Sequence, residues 1–580
     1  MQHAIEEAPS AHADSASTTP RAALDRAVAE VREQRTRFAR MPIGGRVSLL
    51  REILPLLTRT SEAWVAAACK AKGIAPSSTI AGEEWFAGPL VTARNVRLLA
   101  KSLDQIASSG RPALGRSMVT RPDGRVEIDV FPAGGFDAAL YRGLSCVALL
   151  EAGMDEQKAR SRQASFYQKK DPQGAVSLVL GAGNVSSIPA TDVLYKMFVD
   201  GNVCILKMNP VNEWAGPFLE QAFAPLVSRQ FLRIVYGGGD VGEYLTGHVG
   251  IDDIHITGSN HTHDRIVWGP PGPEQERRRR ANDPVLKKTI TSELGNVSPV
   301  VVVPGKYSDE ELAFQAKNVA TMVVNNASFN CNAAKMLVVS RGWPQRGKFL
   351  ELIAESLGKV PPRKAYYPGA RERYAELAGP RKNVQRFGRE GDDTLPWALI
   401  TDVDSASTSE PLFRIEPFCG ILSQTDLGDD DPAAFLGAAT KFCNEKLWGT
   451  LNATVIIDPR TESEPPVASA LGRAILDLRY GTVAINHWPG LVFGSVSAAW
   501  GGHPSATLAD VQSGIGWVHN TFMLEGIEKS VFRGPIVMSP KPAWFYDNSM
   551  MRVIGSKLSD FEASPSPLKL PGLALASLRG

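Results

Sequence analysis

The chain has 580 residues, more than a single hydrophobic core ordinarily spans, so two or more domains, or a core domain with long extensions, are expected. Its 63 Lys and Arg against 61 Asp and Glu leave a net charge of +2, which gives no electrostatic footprint for nucleic acid. No apolar run reaches the roughly 18 residues that a membrane span needs.

The opening stretch "MQHAIEEAPSAHADSASTTP" has neither a charged region followed by an apolar one nor the arginines of a transit peptide. Residues 1–20 are therefore expected to be a disordered polar tail, on a cytoplasmic protein. From about residue 20 to 110, "RAALDRAVAEVREQRTRFARM" and "GGRVSLLREILPLLTRTSEAWVAAACKA" place apolar residues three and four apart among good helix formers and predict helices. "RVEIDVFP", Arg125 to Pro132, then alternates in the manner of a half-buried strand or hairpin arm.

From about residue 174 the period changes again. Val176–Leu180 and Val203–Leu206 are apolar runs separated by a Gly/Asn/Ser turn and a helical segment. "FLRIVYGGGDVGEYLTGH" repeats the scheme, and "IDDIHITGS" adds a strand ending in Thr-Gly-Ser. Strands alternating with helices at this spacing predict βαβ units and a parallel sheet, with ligands beyond the carboxyl ends of the strands. Lys207, Gly239 and Ser259 fall near three such ends and would line one sheet edge where a dinucleotide could lie, although "GGGDVG" alone is equally consistent with a tight turn. His261 and His263 have no third ligand nearby and read as polar loop residues, not a metal site. "EQERRRRAND" carries Arg277 to Arg280 on what reads as a solvated loop, with an anion contact as the alternative.

A second α/β block starts near Thr291 with "SPVVVV", "AAKMLVVS", the helix "GKFLELIAESLG", and later "LNATVIID" and "GTVAINH". Between them "VPPRKAYYPGARERYAELAGPRKN" is basic, punctuated by Pro, and expected at the surface. The last thirty or so residues, rich in Ser, Pro and Leu, suggest an extension or a subunit contact. "TSELGNVSPVVVV" places Glu293 just before an all-apolar strand. Desolvation there would raise its pKa toward the working pH and suit a general base; a surface Glu before a strand is the plainer alternative.

The six cysteines, Cys69, Cys146, Cys204, Cys331, Cys419 and Cys443, are scattered, with no CxxC pair and no Cys/His metal spacing, which fits a reducing compartment. "NNASFNCNAAKMLVV" sets Cys331 between two asparagines at the start of an apolar strand. A lone Cys is often a buried structural thiol; the other reading is a nucleophile.

Taken together these segments resemble the aldehyde dehydrogenase superfamily. "SELGNVSPVVVV" is similar to its glutamate-Leu-Gly-Gly-x-Ser-Pro motif and "ASFNCNAAKMLVV" to its catalytic-cysteine motif. "GNVSSIPATDVLYKMFVDGNVCILKMNP", "IVYGGGDVG" and "IHITGS" resemble its oxyanion loop and cofactor loops. "EPFCG" resembles the Glu-x-Phe-Gly-Pro motif, and "GTVAIN" and "AAWGGHPSA" the late Gly-Thr-Val-x-Asn and Phe-Gly-Gly segments. The hits run in the family's order from about residue 20 to 530.

The resemblance implies an α/β fold with a Rossmann-type cofactor domain, an α/β catalytic domain and a small oligomerisation hairpin or extension. It implies a cofactor domain over 21–290 with the hairpin near 120–135, a catalytic domain over 291–485, and a return to the cofactor domain with a C-terminal extension over 486–580. By the same resemblance Cys331 would be the nucleophile, Asn184 an oxyanion-hole amide and Glu293 the general base. Lys207, Gly239, Gly258, Ser259 and Glu416 would hold NAD or NADP, with Phe418 beside it. The substrate would be a small-molecule aldehyde and the assembly a homodimer or homotetramer.

Departures from the family pattern mark where this chain differs. Phe329 and Asn330 precede the Cys where a Gln and a varied residue are usual; Asn296-Val297 replaces Gly-Lys; Cys419-Gly420 replaces Gly-Pro. Pro210 stands where NAD-preferring members often carry a ribose-binding Glu, which leaves NADP use open. An Arg-rich insertion spans about Asn260 to Thr289. Phe329, Trp488 and Trp500 either line an apolar channel or belong to the core. Three functional readings follow: an NAD(P)-dependent aldehyde dehydrogenase releasing an acid, a CoA-acylating dehydrogenase or acyl-CoA reductase using the same Cys, and a catalytically silent scaffold.

Overall fold

The computed structural model describes residues 18–114 and 117–580; the expected polar tail lies outside the described residues except for its last three. Two sheets organise the chain. Val176–Leu180 and Val203–Lys207 are buried along their whole length, because helices cover both faces, so neither shows a period of two. They form the centre of a five-stranded parallel sheet in the spatial order Leu232–Val235, Val203–Lys207, Val176–Leu180, Asp253–Gly258, Thr289–Leu294. Leu178, Val179, Ile205 and Ile254 pack in one cluster with Leu24, Val31, Leu50 and Trp64 of the amphipathic helices Arg21–Ala39 and Ile43–Ala71. Those helices are the ones the three- and four-residue spacing predicts.

The second sheet has eleven strands. Its parallel centre runs in the spatial order Ile527–Arg533, Thr482–Ile485, Asn452–Ile456, Pro299–Val302, Met336–Ser340, Ile421–Leu427 and Trp397–Val403. Met118–Thr120, Val126–Phe131 and Ser145–Leu150 add an antiparallel arm at one edge, and Val384–Phe387 pairs antiparallel at the other. The chain crosses from one sheet to the other between Leu294 and Pro299, and Asn296 and Ser298 at the crossing are buried.

Three expectations change. The arginine run is not a loop but a helix, Pro273–Ala281, and three of its four arginines are ion-paired: Arg277 and Arg278 face Glu274, and Arg279 Nη2 lies 2.5 Å from Asp264. Acidic residues in and beside the insertion therefore offset part of its positive charge. His261 and His263 stand on the helix Asn260–Trp268, with His263 buried, not on a loop. The basic segment after Val360 is only partly at the surface, for it carries Arg363 and Tyr366 inward. The last residues, expected as an extension or a subunit contact, form helices Met551–Ala563 and Leu570–Leu578; Glu562 is fully buried and paired with Arg94 at 2.7 Å on the helix Val91–Ser109. Among the described residues no helix is long and apolar enough to cross a membrane.

Candidate active site

The helix Asp309–Val324 starts at a capping box, in which Ser308 and Glu311 satisfy each other's backbone N–H, and ends at Asn325. Asn326, Ala327 and Ser328 then take φ of 51°, 54° and 70°, three successive left-handed residues without a glycine. This turn delivers Phe329 to Asn332 into the seam between the two sheets, and the strand Met336–Ser340 leaves it. Four consecutive carbonyls are tied down. Asn184 Nδ2 donates to Phe329 O (2.9 Å), Lys335 Nζ to Asn330 O and Cys331 O (both 3.0 Å), Ser298 Oγ to Cys331 O (3.1 Å) and Trp488 Nε1 to Asn332 O (2.9 Å). Among the described residues nothing accepts the Cys331 N–H.

Cys331 is partly exposed, whereas the other five cysteines are buried. Burial pushes its thiol well above the ordinary range, and the nearby Glu293 carboxyl adds to this against the opposing Lys335 charge. Glu293 lies in the strand Thr289–Leu294, in register with Thr257 of the neighbouring strand, so the cofactor-type sheet edge leads directly to it. Only 3% of Glu293 is exposed, and its Oε1 has no hydrogen-bond partner. Burial lifts its pKa to about 8; the adjacent Cys331 thiol and Trp500 indole pull it down, and Asp192 and Glu416 push it further up. The indole N–H of Trp500 is also buried without a partner. A buried acceptor and a buried donor thus lie near each other beside the thiol.

Glu416 closes the other side. Its Oε1 accepts from Lys335 Nζ at 2.7 Å and from the Asn296 N–H at 3.2 Å, which leaves Oε2 toward Gly295. A Cβ at Gly295 would overlap that carboxylate, which is why glycine follows Leu294 there. Phe418, at φ 44°, packs its ring 5.8 Å from Phe329 and 4.9 Å from Tyr367. Phe329 (1% exposed), Trp488 (8%) and Trp500 (0%) are buried, so of their two sequence readings the core one describes them.

The residues expected at the cofactor edge gather at one end of the five-stranded sheet. Lys207 ends its strand, Gly258 ends the next but one, and Gly239 opens the helix Gly239–Gly247, whose N-cap, Gly238, contributes no side-chain cap. Space around Gly239 is open: a Cβ there would meet nothing within 4 Å. Ser259 caps the helix Asn260–Trp268 by accepting from Thr262 N at 3.2 Å. An uncapped helix N-terminus beside strand carboxyl ends suits a pyrophosphate, and a free Glu416 oxygen suits a ribose hydroxyl, so the residues fit a nicotinamide dinucleotide.

The residues that sequence reasoning missed lie behind the turn. Lys72, Glu83, Glu84, Asn326, Arg363 and Tyr366 form a buried polar cluster against Asn184 and Phe329. Only an unbroken chain of contacts reveals it. Lys72 sits at the end of a long helix, and no local pattern distinguishes it from a surface lysine.

Fold and site together define an α/β protein with a dinucleotide-type sheet edge leading to a paired thiol and carboxylate. Comparison with known proteins agrees. Residues 144–366 match the model of the aldehyde dehydrogenase family. An N-succinylglutamate 5-semialdehyde dehydrogenase of Novosphingobium aromaticivorans is 24% identical over 178 residues, 30% of this chain and 34% of that protein. A betaine aldehyde dehydrogenase of Vibrio vulnificus is 25% identical over 222 residues, 38% of each chain. The matched stretch thus spans little more than a third of these curated relatives. Among solved structures, an NADP-dependent glyceraldehyde-3-phosphate dehydrogenase from Bacillus halodurans, in complex with NADP, superimposes with a TM-score of 0.60 at 17% identity, over 88% of this chain and 91% of that one. A lactaldehyde dehydrogenase from Escherichia coli gives 0.59 at 16% identity, over 88% and 90%. Residues 144–366 thus match the aldehyde dehydrogenase family model, and the chain has the fold of solved aldehyde dehydrogenases.

Proposed function

We propose that the protein oxidises an aldehyde to a carboxylic acid with NAD or NADP, through a thioester on Cys331 that Glu293 hydrolyses. The observation that carries this reading is the buried Glu293 carboxyl beside the one partly exposed cysteine. Because burial holds the thiol neutral, its ionisation must be coupled to a neighbouring base, and Glu293 is the carboxylate next to it. The sulfur then bonds to the aldehyde carbon, and the carbonyl oxygen becomes an anion. The unused Cys331 N–H and the second N–H of the Asn184 amide would receive that charge; losing one such donor costs about 3 kcal/mol of transition-state stabilisation. A bound nicotinamide dinucleotide would supply the hydride acceptor, with Lys207, Gly239, Gly258, Ser259 and Glu416 holding it and Phe418 beside it. Glu293 Oε1 and Trp500 Nε1 offer an acceptor and a donor for a water, and proton removal by Glu293 directs its oxygen to the thioester carbon, releasing the acid.

The test is reduced-cofactor absorbance over an aldehyde panel with NAD or NADP, each with and without coenzyme A. Turnover without coenzyme A is expected. Strict dependence on it would replace this reading with acyl transfer, and no turnover on any aldehyde would leave the scaffold. The antiparallel arm ending in Met118–Thr120, with Val119 half exposed at the sheet edge, supports a homodimer or homotetramer. Light scattering on the eluting protein checks this, and a monomer at micromolar concentration would contradict it.

A further inference from the structure

The buried cluster behind the nucleophile turn joins two loops that must be in register for an oxyanion to form. Lys72 Nζ lies 2.9 Å from both oxygens of Glu84, 2.9 Å from Asn326 Oδ1 and 3.2 Å from Asn184 O. The side chains of the Lys72–Glu84 pair are 4% and 1% exposed. Tyr366 Oη reaches the same two acceptors, at 2.9 Å from Asn326 Oδ1 and 3.1 Å from Asn184 O. With Oδ1 held by these donors, the Asn326 amide can only turn Nδ2 the other way. There it donates to Asn184 O and Phe329 O (3.1 Å each) and to Asn330 Oδ1 (3.0 Å). Glu83 accepts the Asn326 N–H at 3.0 Å and is itself paired with Arg363 at 2.8 Å.

Three consecutive left-handed residues persist only where the surroundings over-determine them. Here the over-determination comes from residues outside the turn. Lys72, Glu83 and Glu84 also precede the segment that matches the family model. We propose that Lys72 is a positioning residue for the oxyanion site: its ammonium clamps the Asn184 backbone to the Asn326 side chain and so sets the Asn184 amide against the Cys331 turn. This rests on the reading of Cys331 as nucleophile and Asn184 as oxyanion donor.

The experiment measures steady-state kcat and KM, cofactor binding and thermal unfolding for four proteins: wild type, Cys331→Ala, Tyr366→Phe and the double variant Lys72→Met with Glu84→Gln. The double variant removes both charges of the pair, so no lone buried charge is left behind. Its expected result is a folded protein that binds cofactor as wild type does, with kcat reduced about 100-fold and aldehyde KM little changed. Tyr366→Phe keeps the ring and loses only the hydroxyl; kcat is expected to fall several-fold at constant KM. It decides the matter should the double variant not fold. Wild-type kcat in either folded variant overturns the proposal. Turnover that survives Cys331→Ala, or its absence from wild type, overturns the nucleophile reading and this proposal with it, whereas Cys331-dependent turnover with undiminished variants overturns the proposal alone.

Discussion

In the five-stranded sheet every strand lies between Val176 and Leu294, and three of the four pairs join consecutive strands. At the Cys331 turn the contacts are of another kind: Lys72 reaches Asn326 across 254 residues, and Tyr366 and Asn184 meet across 182. The sheet is held by apolar area and regular ladders, so its members are interchangeable in type. The turn is held by a small number of charged and amide groups, each with one geometry that works. Substitutions should therefore act differently in the two regions, on stability in the sheet and on chemistry at the turn.

The largest effect is expected at the sulfur. Cys331→Ala should reduce aldehyde oxidation to background while cofactor binding, followed by fluorescence, is retained; full turnover would return Cys331 to the structural thiols. Glu293→Gln should come next, slowing acid release by about 100-fold or more while a thioester builds up on the enzyme. The pH dependence follows from the same carboxyl. With its pKa lifted to about 8 by burial, the base form grows as pH rises through 8, so acid release should climb across that range and level off above it. Single-turnover rates in Glu293→Gln should lose that dependence, and a profile that remains unchanged would assign the base elsewhere.

In the sheet the effect shifts to stability. Leu178→Ala removes a fully buried side chain from the central strand and should cost about 2–5 kcal/mol by denaturant unfolding, with kcat per folded molecule preserved. The smallest effect is expected at the Arg-rich helix, where Arg277 is exposed and paired within its own helix. Arg277→Gln should leave both Tm and kcat at wild-type values, and a loss of activity would give the insertion a role in the site.

The same contrast explains what could be read from the chain alone. Amphipathic spacing marks the helices Arg21–Ala39 and Ile43–Ala71, and apolar runs mark the strands ending at Leu180 and Lys207, because local pattern and burial coincide there. Motif order placed Asn184, Glu293, Cys331 and Glu416 on one list of site residues, and the structure sets them around one seam. Three features were not legible. The Arg run looks like a loop until Glu274, Asp283 and Asp264 are seen to offset it. Phe329 reads as either a channel or a core residue until its ring is found among Tyr366, Tyr367 and Phe418. Lys72 and Glu84 look like ordinary helix residues, since nothing local records that both are enclosed and that their partners come from elsewhere.

The central claim is that Cys331 and Glu293 divide one reaction into acylation and hydrolysis. Peptide mass analysis of Glu293→Gln, quenched after mixing with an aldehyde and NAD or NADP, tests it directly. The account predicts the acyl mass on the peptide that contains Cys331, absent when cofactor is omitted. An unmodified Cys331 peptide, or the acyl group on one of the five buried cysteines, would contradict it.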